Sequence, residues 1–221
     1  MKNVGSGFAG CLLAVLSLCV CGAVRGDDFA ETEGFLDFEV RGAISDQWSY
    51  FVNHQSKIRD RDPEYYTWHF KAGVRYKPVS WLQLAVDHRY QEERSGEEWE
   101  HEHRTTLEAT PAIRLGKWRL SSRNQMEYRD FESPKVDRWR YRNQLMAEHP
   151  LPFWGLTGYV SEEPHYDFEL DRWCKHRITV GVSRKLTSWL SGKLYYRWDI
   201  AEQSKNQGHW EIGRASCRAR G

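Results

Sequence analysis

The stretch Arg177-Ile-Thr-Val-Gly-Val-Ser-Arg-Lys-Leu-Thr-Ser-Trp-Leu-Ser-Gly-Lys-Leu-Tyr-Tyr-Arg-Trp-Asp-Ile200 decides the fold. Two alternating runs flank a short polar turn at 184–188, and Trp189 opens the second run. Side chains two apart on a strand point the same way. Leu190, Leu194, Tyr196, Trp198 and Ile200 therefore share one face, and Ser191, Lys193, Tyr195, Arg197 and Asp199 share the other. Such a strand sets one face in an apolar medium and the other in water. The rest of the chain decides which apolar medium that is.

The tryptophan after the short turn recurs. Trp48, Trp81, Trp118, Trp154 and Trp189 follow short turns at spacings of 33, 37, 36 and 35 residues, one up-and-down hairpin each. This is repetition of pattern and not of sequence, so no solenoid is implied. The clearest strand is 65–76, where Tyr66, Trp68, Phe70, Ala72, Val74 and Tyr76 oppose Thr67, His69, Lys71, Gly73 and Arg75 with a period of two throughout. Trp81 opens a strand that sets Leu82, Leu84, Val86, His88 and Tyr90 against Gln83, Ala85, Asp87 and Arg89. At the opposite end the connections read as longer charged loops, at 60–64, 91–98, 130–136 and 201–208. Pro63 cannot join a central ladder, and Pro164 marks a bend or strand end within 156–168. Ten strands are legible, and His209-Trp210 begin another.

Short turns at one end, polar loops at the other and amphipathic strands of about 10 residues predict an all-β fold. The architecture is an antiparallel up-and-down transmembrane β-barrel of about 10–12 strands, short of its last one. Trp48, Trp81, Trp118, Trp154 and Trp189 would form the aromatic girdle at the short-turn interface, with Tyr90, Tyr128, Trp139 and Trp173 forming the other.

Composition agrees. The 221 residues are 40% hydrophobic and 29% charged, yet hold 11 Trp and 11 Tyr, an odd mixture for a soluble core and a natural one for a polar-filled barrel. Residues 1–26 have the layout of a secretory signal: Lys2, an apolar run over 8–20, and Val24-Arg25-Gly26 before Asp27. Cys19 and Cys21 raise lipoprotein processing as an alternative, but Leu18 and Val20 stand where a small residue is wanted. Residues 27–34 form an acidic lead-in and 35–210 the barrel domain. Residues 211–221 (Glu-Ile-Gly-Arg-Ala-Ser-Cys-Arg-Ala-Arg-Gly) resemble the translation of a sequencing adapter, so native sequence is expected to stop between Trp210 and Gly213. Cys174 and Cys217 outlast the signal, too few for a disulfide framework. With Lys2, Arg25, Arg214, Arg218, Arg220 and Glu211 set aside, residues 27–210 carry 27 basic and 30 acidic side chains, about −3. No basic excess argues for nucleic acid.

Three constellations invite chemistry. Arg119, Arg123, Arg129, Arg138, Arg140 and Arg142 share the polar faces of two neighbouring strands. They read either as a cationic, lumen-lining wall for small anionic solutes or as an ion network paired with Glu108, Glu127, Glu148, Glu162 and Glu163. A barrel this small is filled by its own side chains, which favours the network. His101-Glu102-His103 offers two imidazoles but no further placed ligands, so it reads as a solvated charged segment and no metal is expected. Ser161, His165 and Asp167 carry the residue types of a hydrolase triad. On a straight strand, however, the Ser and His lie about 13 Å apart, and no nucleophile-elbow motif is present. No catalytic residue and no cofactor is assigned.

Arg138-Trp-Arg-Tyr-Arg-Asn-Gln-Leu145 and Tyr159-Val-Ser-Glu-Glu-Pro-His-Tyr-Asp-Phe168 resemble the basic strand and following acidic-aromatic segment of the bacterial family catalogued as domain of unknown function 2490. The resemblance runs from about Phe35 to Trp210, with Pro164-His165 standing where aromatic residues are expected. It implies an outer-membrane β-barrel of unassigned function and supplies no catalytic residues. The expected role is a narrow channel or structural protein of the Gram-negative bacterial outer membrane. Its partners would be outer-membrane lipid and the barrel-assembly machinery. Two alternatives stand beside it: a soluble periplasmic or secreted lipid-binding barrel with its apolar face inward, and an outer-membrane lipid hydrolase or deacylase.

Overall fold

A computed structural model describes residues 33–59, 66–95, 98–132, 136–188, 190–201, 207–212 and 214–219, all of them in strands or short connections. The signal segment 1–26, most of the lead-in 27–34 and the girdle position Trp189 lie outside the described residues, as do the side chains of 201–221. Ten strands follow one another up and down: β1 (Glu33–Ala43), β2 (Trp48–Arg59), β3 (Tyr66–Val79), β4 (Leu82–Ser95), β5 (Glu98–Leu115), β6 (Trp118–Phe131), β7 (Arg138–Pro150), β8 (Leu156–Asp167), β9 (Arg172–Lys185) and β10 (Leu190–Ala201). Each pairs antiparallel with the next in one curled sheet. Alternation drives this, because β-branched and aromatic side chains fit one side of the pleat while charged ones fit the other.

Two short segments, β11 (Gln207–Ile212) and β12 (Arg214–Ala219), continue beside β10. β12 also pairs with β1, in parallel. Ten alternating strands leave β1 and β10 antiparallel, so the lane after β10 must run parallel to β1. That parity matches a barrel missing one strand from an even, all-antiparallel closure.

Several segments differ from expectation. Residues 91–98 are not a loop: β4 and β5 stay paired out to Ser95 and Glu98, so only 96–97 connect them. Charged side chains there extend the ladder past the apolar belt, and composition alone cannot distinguish such an extension from a loop. Pro164 does not end its strand. On the β7 side the register is the same before and after it, while on the β8–β9 side a shift falls at His165/Tyr166. The missing N–H removes local bonds without breaking the strand, and the irregularity takes up the strain.

The sheet is inverted relative to a soluble core. Among the described residues Phe51 is the one buried hydrophobic side chain, whereas eighteen polar or charged residues are buried. Phe70, Leu84, Val86, Leu107, Leu145, Val180 and Leu194 point outward.

Candidate functional site in the polar interior

The interior is a lattice of carboxylates and guanidiniums set by strand register. Glu127 on β6 and Glu163 on β8 are each 1% exposed. Glu127 accepts from Arg140 Nε at 2.8 Å and Arg142 Nη1 at 2.7 Å, with Arg104 Nη1 at 3.7 Å. Glu163 accepts from Arg142 Nε at 2.9 Å and Arg123 Nη2 at 3.3 Å, with Arg177 at 3.6 Å. Arg142 therefore bridges the two acids. At one end Glu102 receives a two-pronged contact from Arg129, both at 2.7 Å, and another from Arg104. At the other end Asp199 takes two bonds from Arg177, at 2.8 and 3.0 Å, and one from Lys175. One connected network thus crosses β5 to β10. Bidentate Arg–carboxylate geometry gives such a lattice direction as well as strength.

All six arginines singled out in the sequence lie on this face. Arg123, Arg129, Arg140 and Arg142 are in the lattice. Arg138 reaches Asp167 at 3.4 Å, and Arg119 pairs with Glu148 near the short-turn end. The expected acid partners need revision. Glu162 points outward, 3.6 Å from His176, because its neighbour Glu163 takes the inward position. Glu108 binds Gln125 and Thr110 instead of an arginine. Glu102, Asp167 and Asp199 replace them. Glu102 was hidden by its neighbours: His101 and His103 flank it in sequence, but alternation turns both outward and Glu102 inward.

The two histidines also part company. His101 Nδ1 meets Tyr90 Oη at 3.1 Å, while His103 Nδ1 meets His88 Nε2 at 3.2 Å. Among the described residues no three His, Cys, Asp or Glu side chains converge as metal ligands. Ser161, His165 and Asp167 are all buried inside, but Ser161 is bonded by Gln144 at 3.2 Å and His165 Nε2 faces Glu163 at 3.8 Å, not Ser161. A different Ser–His contact exists on the outer face of β2, where His54 Nε2 lies 3.0 Å from Ser56 Oγ. Among the described residues no acid orients His54, and Tyr66 Oη donates to Ser56 at 3.3 Å.

A second interior patch sits on β1–β3. Arg75 and Arg41 hold the buried Glu39, and the Arg75 guanidinium lies 3.8 Å over the Phe51 ring. Gly73 makes room for it: a Cβ there would meet Val86 O at 2.5 Å, Asp87 Cβ at 2.6 Å and Phe51 at 2.8 Å.

The outer face carries two aromatic bands. Trp48 stacks on Tyr76 at 4.5 Å and Trp118 tilts on His149 at 4.6 Å at the short-turn end. Trp68–Tyr90 and Tyr128–Trp139 pair at 5.7 and 5.1 Å at the other end. Trp81 is exposed in the first band. Trp154 is 76% exposed and adopts φ 53°, followed by Gly155 at φ 62°. Leu156 N closes the turn on Phe153 O at 3.2 Å, which makes a type I′ turn with an indole where Asn, Asp or Gly is usual. Between the bands lies a polar island, in which Asn124 bonds Tyr141 at 2.7 Å and Asn143 at 2.8 Å, and Asn143 bonds Ser122 at 2.9 Å.

No curated protein matches the chain. A family model described as "Protein of unknown function (DUF2490)" matches residues 32–209, which covers every strand from β1 to β10. The chain, with its inverted ten-strand sheet and arginine–carboxylate interior, belongs to that family.

Proposed function

We propose that the chain is a bacterial outer-membrane β-barrel whose arginine–carboxylate interior leaves at most a narrow path for small anionic solutes. The single observation behind this is the inversion of polarity: among the described residues Phe51 alone is a buried hydrophobic side chain, while the outer face is mainly apolar. A soluble lipid-binding barrel needs the opposite arrangement, so the outward Phe70, Leu84 and Leu194 argue against it. The bands have the right separation. Trp118 and Tyr128 end one face of β6, about 33 Å apart along the strand, or about 25 Å once tilted. Trp154 adds support, since an exposed side chain in a left-handed turn has a backbone cost that an interfacial anchor can offset. Outer-membrane lipid and the barrel-assembly machinery are the partners this implies. The density of ion pairs favours a filled interior over a wide pore.

Refolding into detergent tests the proposal. The barrel should keep β circular dichroism and migrate faster on gels before boiling than after, and planar bilayers should show small anion-selective conductance or none. A chain that is folded and monomeric in plain buffer would sink it.

The outer-face contact between His54 and Ser56 motivates a second function, acyl-ester hydrolysis at the barrel rim. It has a nucleophile and a base but no orienting acid, which places it behind the first. Ser56→Ala, compared with wild type on phospholipid vesicles, decides it: ester hydrolysis that disappears in the variant would promote the second function.

A further inference from the structure

The register places a row of cations directly opposite one another across five strands. Lys71 on β3 faces Arg89 on β4, Arg89 faces Arg104 on β5, Arg104 faces Arg129 on β6, and Arg129 faces Arg138 on β7. Like charges directly opposed on one face of a sheet repel, so each needs a counter-charge. Arg104 and Arg129 have Glu102, and Arg138 has Asp167. Arg89 differs. Its Nε is sealed from solvent without a partner, and its guanidinium makes no hydrogen bond or ion pair among the described residues. Its terminal nitrogens are not sealed, and the side chain as a whole is half-buried.

The nearby anions are already placed. Asp87, two residues away on the same face, is bonded to Thr106 across the ladder and attracts Arg89 without a direct contact. Glu102 and Glu127 are committed to Arg104, Arg129, Arg140 and Arg142. His69 beside the row is bonded to Asn53 at 3.1 Å. Glu127 and Glu102 attract Arg89 through space but spend their hydrogen bonds on other cations, so its own bonding fork is left for an added anion. Its planar fork matches two oxygens of one group better than a spherical halide.

We propose that Arg89, flanked by Lys71 and Arg104, is the docking group of an interior site for one small oxyanion, a phosphate or carboxylate group. The site rests on the polar face enclosing the interior, and it deepens the proposed function by naming where an anion stops and what kind it is. It also accounts for an arginine of the cation row that bonds no acid directly among the described residues.

The test uses the full chain refolded in a detergent free of phosphate headgroups, with sodium chloride held constant. Inorganic phosphate and, separately, acetate are titrated by calorimetry. Wild type should bind one equivalent of at least one of them saturably above the chloride background. Arg89→Gln should weaken that binding about tenfold or more, the loss of a charge-assisted, two-pronged contact. Arg89→Lys should fall between the two. Lys117→Gln, which removes an exposed cation in the turn between β5 and β6, should bind as wild type does. All variants are checked for heat-modifiable migration, so that failure of the barrel is seen on the gel and failure of the site in the calorimeter. No saturable binding by folded wild type, or equal binding by Arg89→Gln, overturns the proposal. The phosphate and acetate arms name the ligand group.

Discussion

Replacing Glu127 with Gln should unfold the barrel more readily than any other single isosteric change in its interior. The carboxylate is 1% exposed and holds Arg140 and Arg142 through bonds of 2.8 and 2.7 Å, with Arg104 at 3.7 Å. The amide keeps the shape but cannot balance those cations. Arg142 retains Glu163 and Arg104 retains Glu102, whereas Arg140 is left with no other carboxylate contact among the described residues. Removing one partner of a buried ion pair costs about 3–5 kcal/mol. At a denaturant sensitivity of about 2 kcal/mol per molar urea, the midpoint should fall by about 2 M. The internal control is Glu148→Gln. Its partner Arg119 is well exposed, so that loss should stay within about 1 kcal/mol. Adding Arg140→Gln to Glu127→Gln removes the stranded charge and should recover about 1–3 kcal/mol as coupling. Urea titrations of the refolded protein in detergent, followed by tryptophan fluorescence, read all four. A Glu127→Gln cost no larger than that of Glu148→Gln would refute the claim that the interior is an ion lattice.

Gly73→Ala should cost about 1–3 kcal/mol in the same titration, because its Cβ would meet backbone and the Phe51 ring below 3.0 Å. Asn124→Leu should lose about 1 kcal/mol by stranding Asn143 and Tyr141 in the apolar belt, and Asn124→Leu with Asn143→Leu should regain part of it. Trp154→Asn relieves a left-handed indole worth about 1 kcal/mol or more of backbone strain, yet it should lower stability in lipid vesicles by removing an interfacial anchor. A net gain in vesicles would show that Trp154 anchors nothing.

Sequence was most informative where alternation was unbroken. Tyr66 to Tyr76 and Leu190 to Ile200 could be assigned to faces residue by residue, and the recurring tryptophan marked the turns. Alternation failed as a guide where charge filled both faces. Glu92 and Glu93 sit inside paired strand but read as loop, because strand continuing into water has no apolar side to reveal it. Partners were harder still. Glu162 and Glu163 are adjacent and chemically identical, and only the phase of the strand decides which is inside. Arg89 was visible on a polar face from the start. That it stands opposite Lys71 and Arg104 depends on the registers of β3, β4 and β5, which no local pattern encodes.

The most direct test is fluorescence of the full chain refolded into vesicles whose acyl chains carry bromine at defined depths. The outward Trp48, Trp81, Trp118, Trp139 and Trp173 should be quenched most by bromines near the headgroups and least by those at the bilayer centre. Quenching should accompany heat-modifiable migration. A chain that stays folded in buffer with its tryptophans untouched by any brominated lipid would contradict the outward belt as a membrane surface.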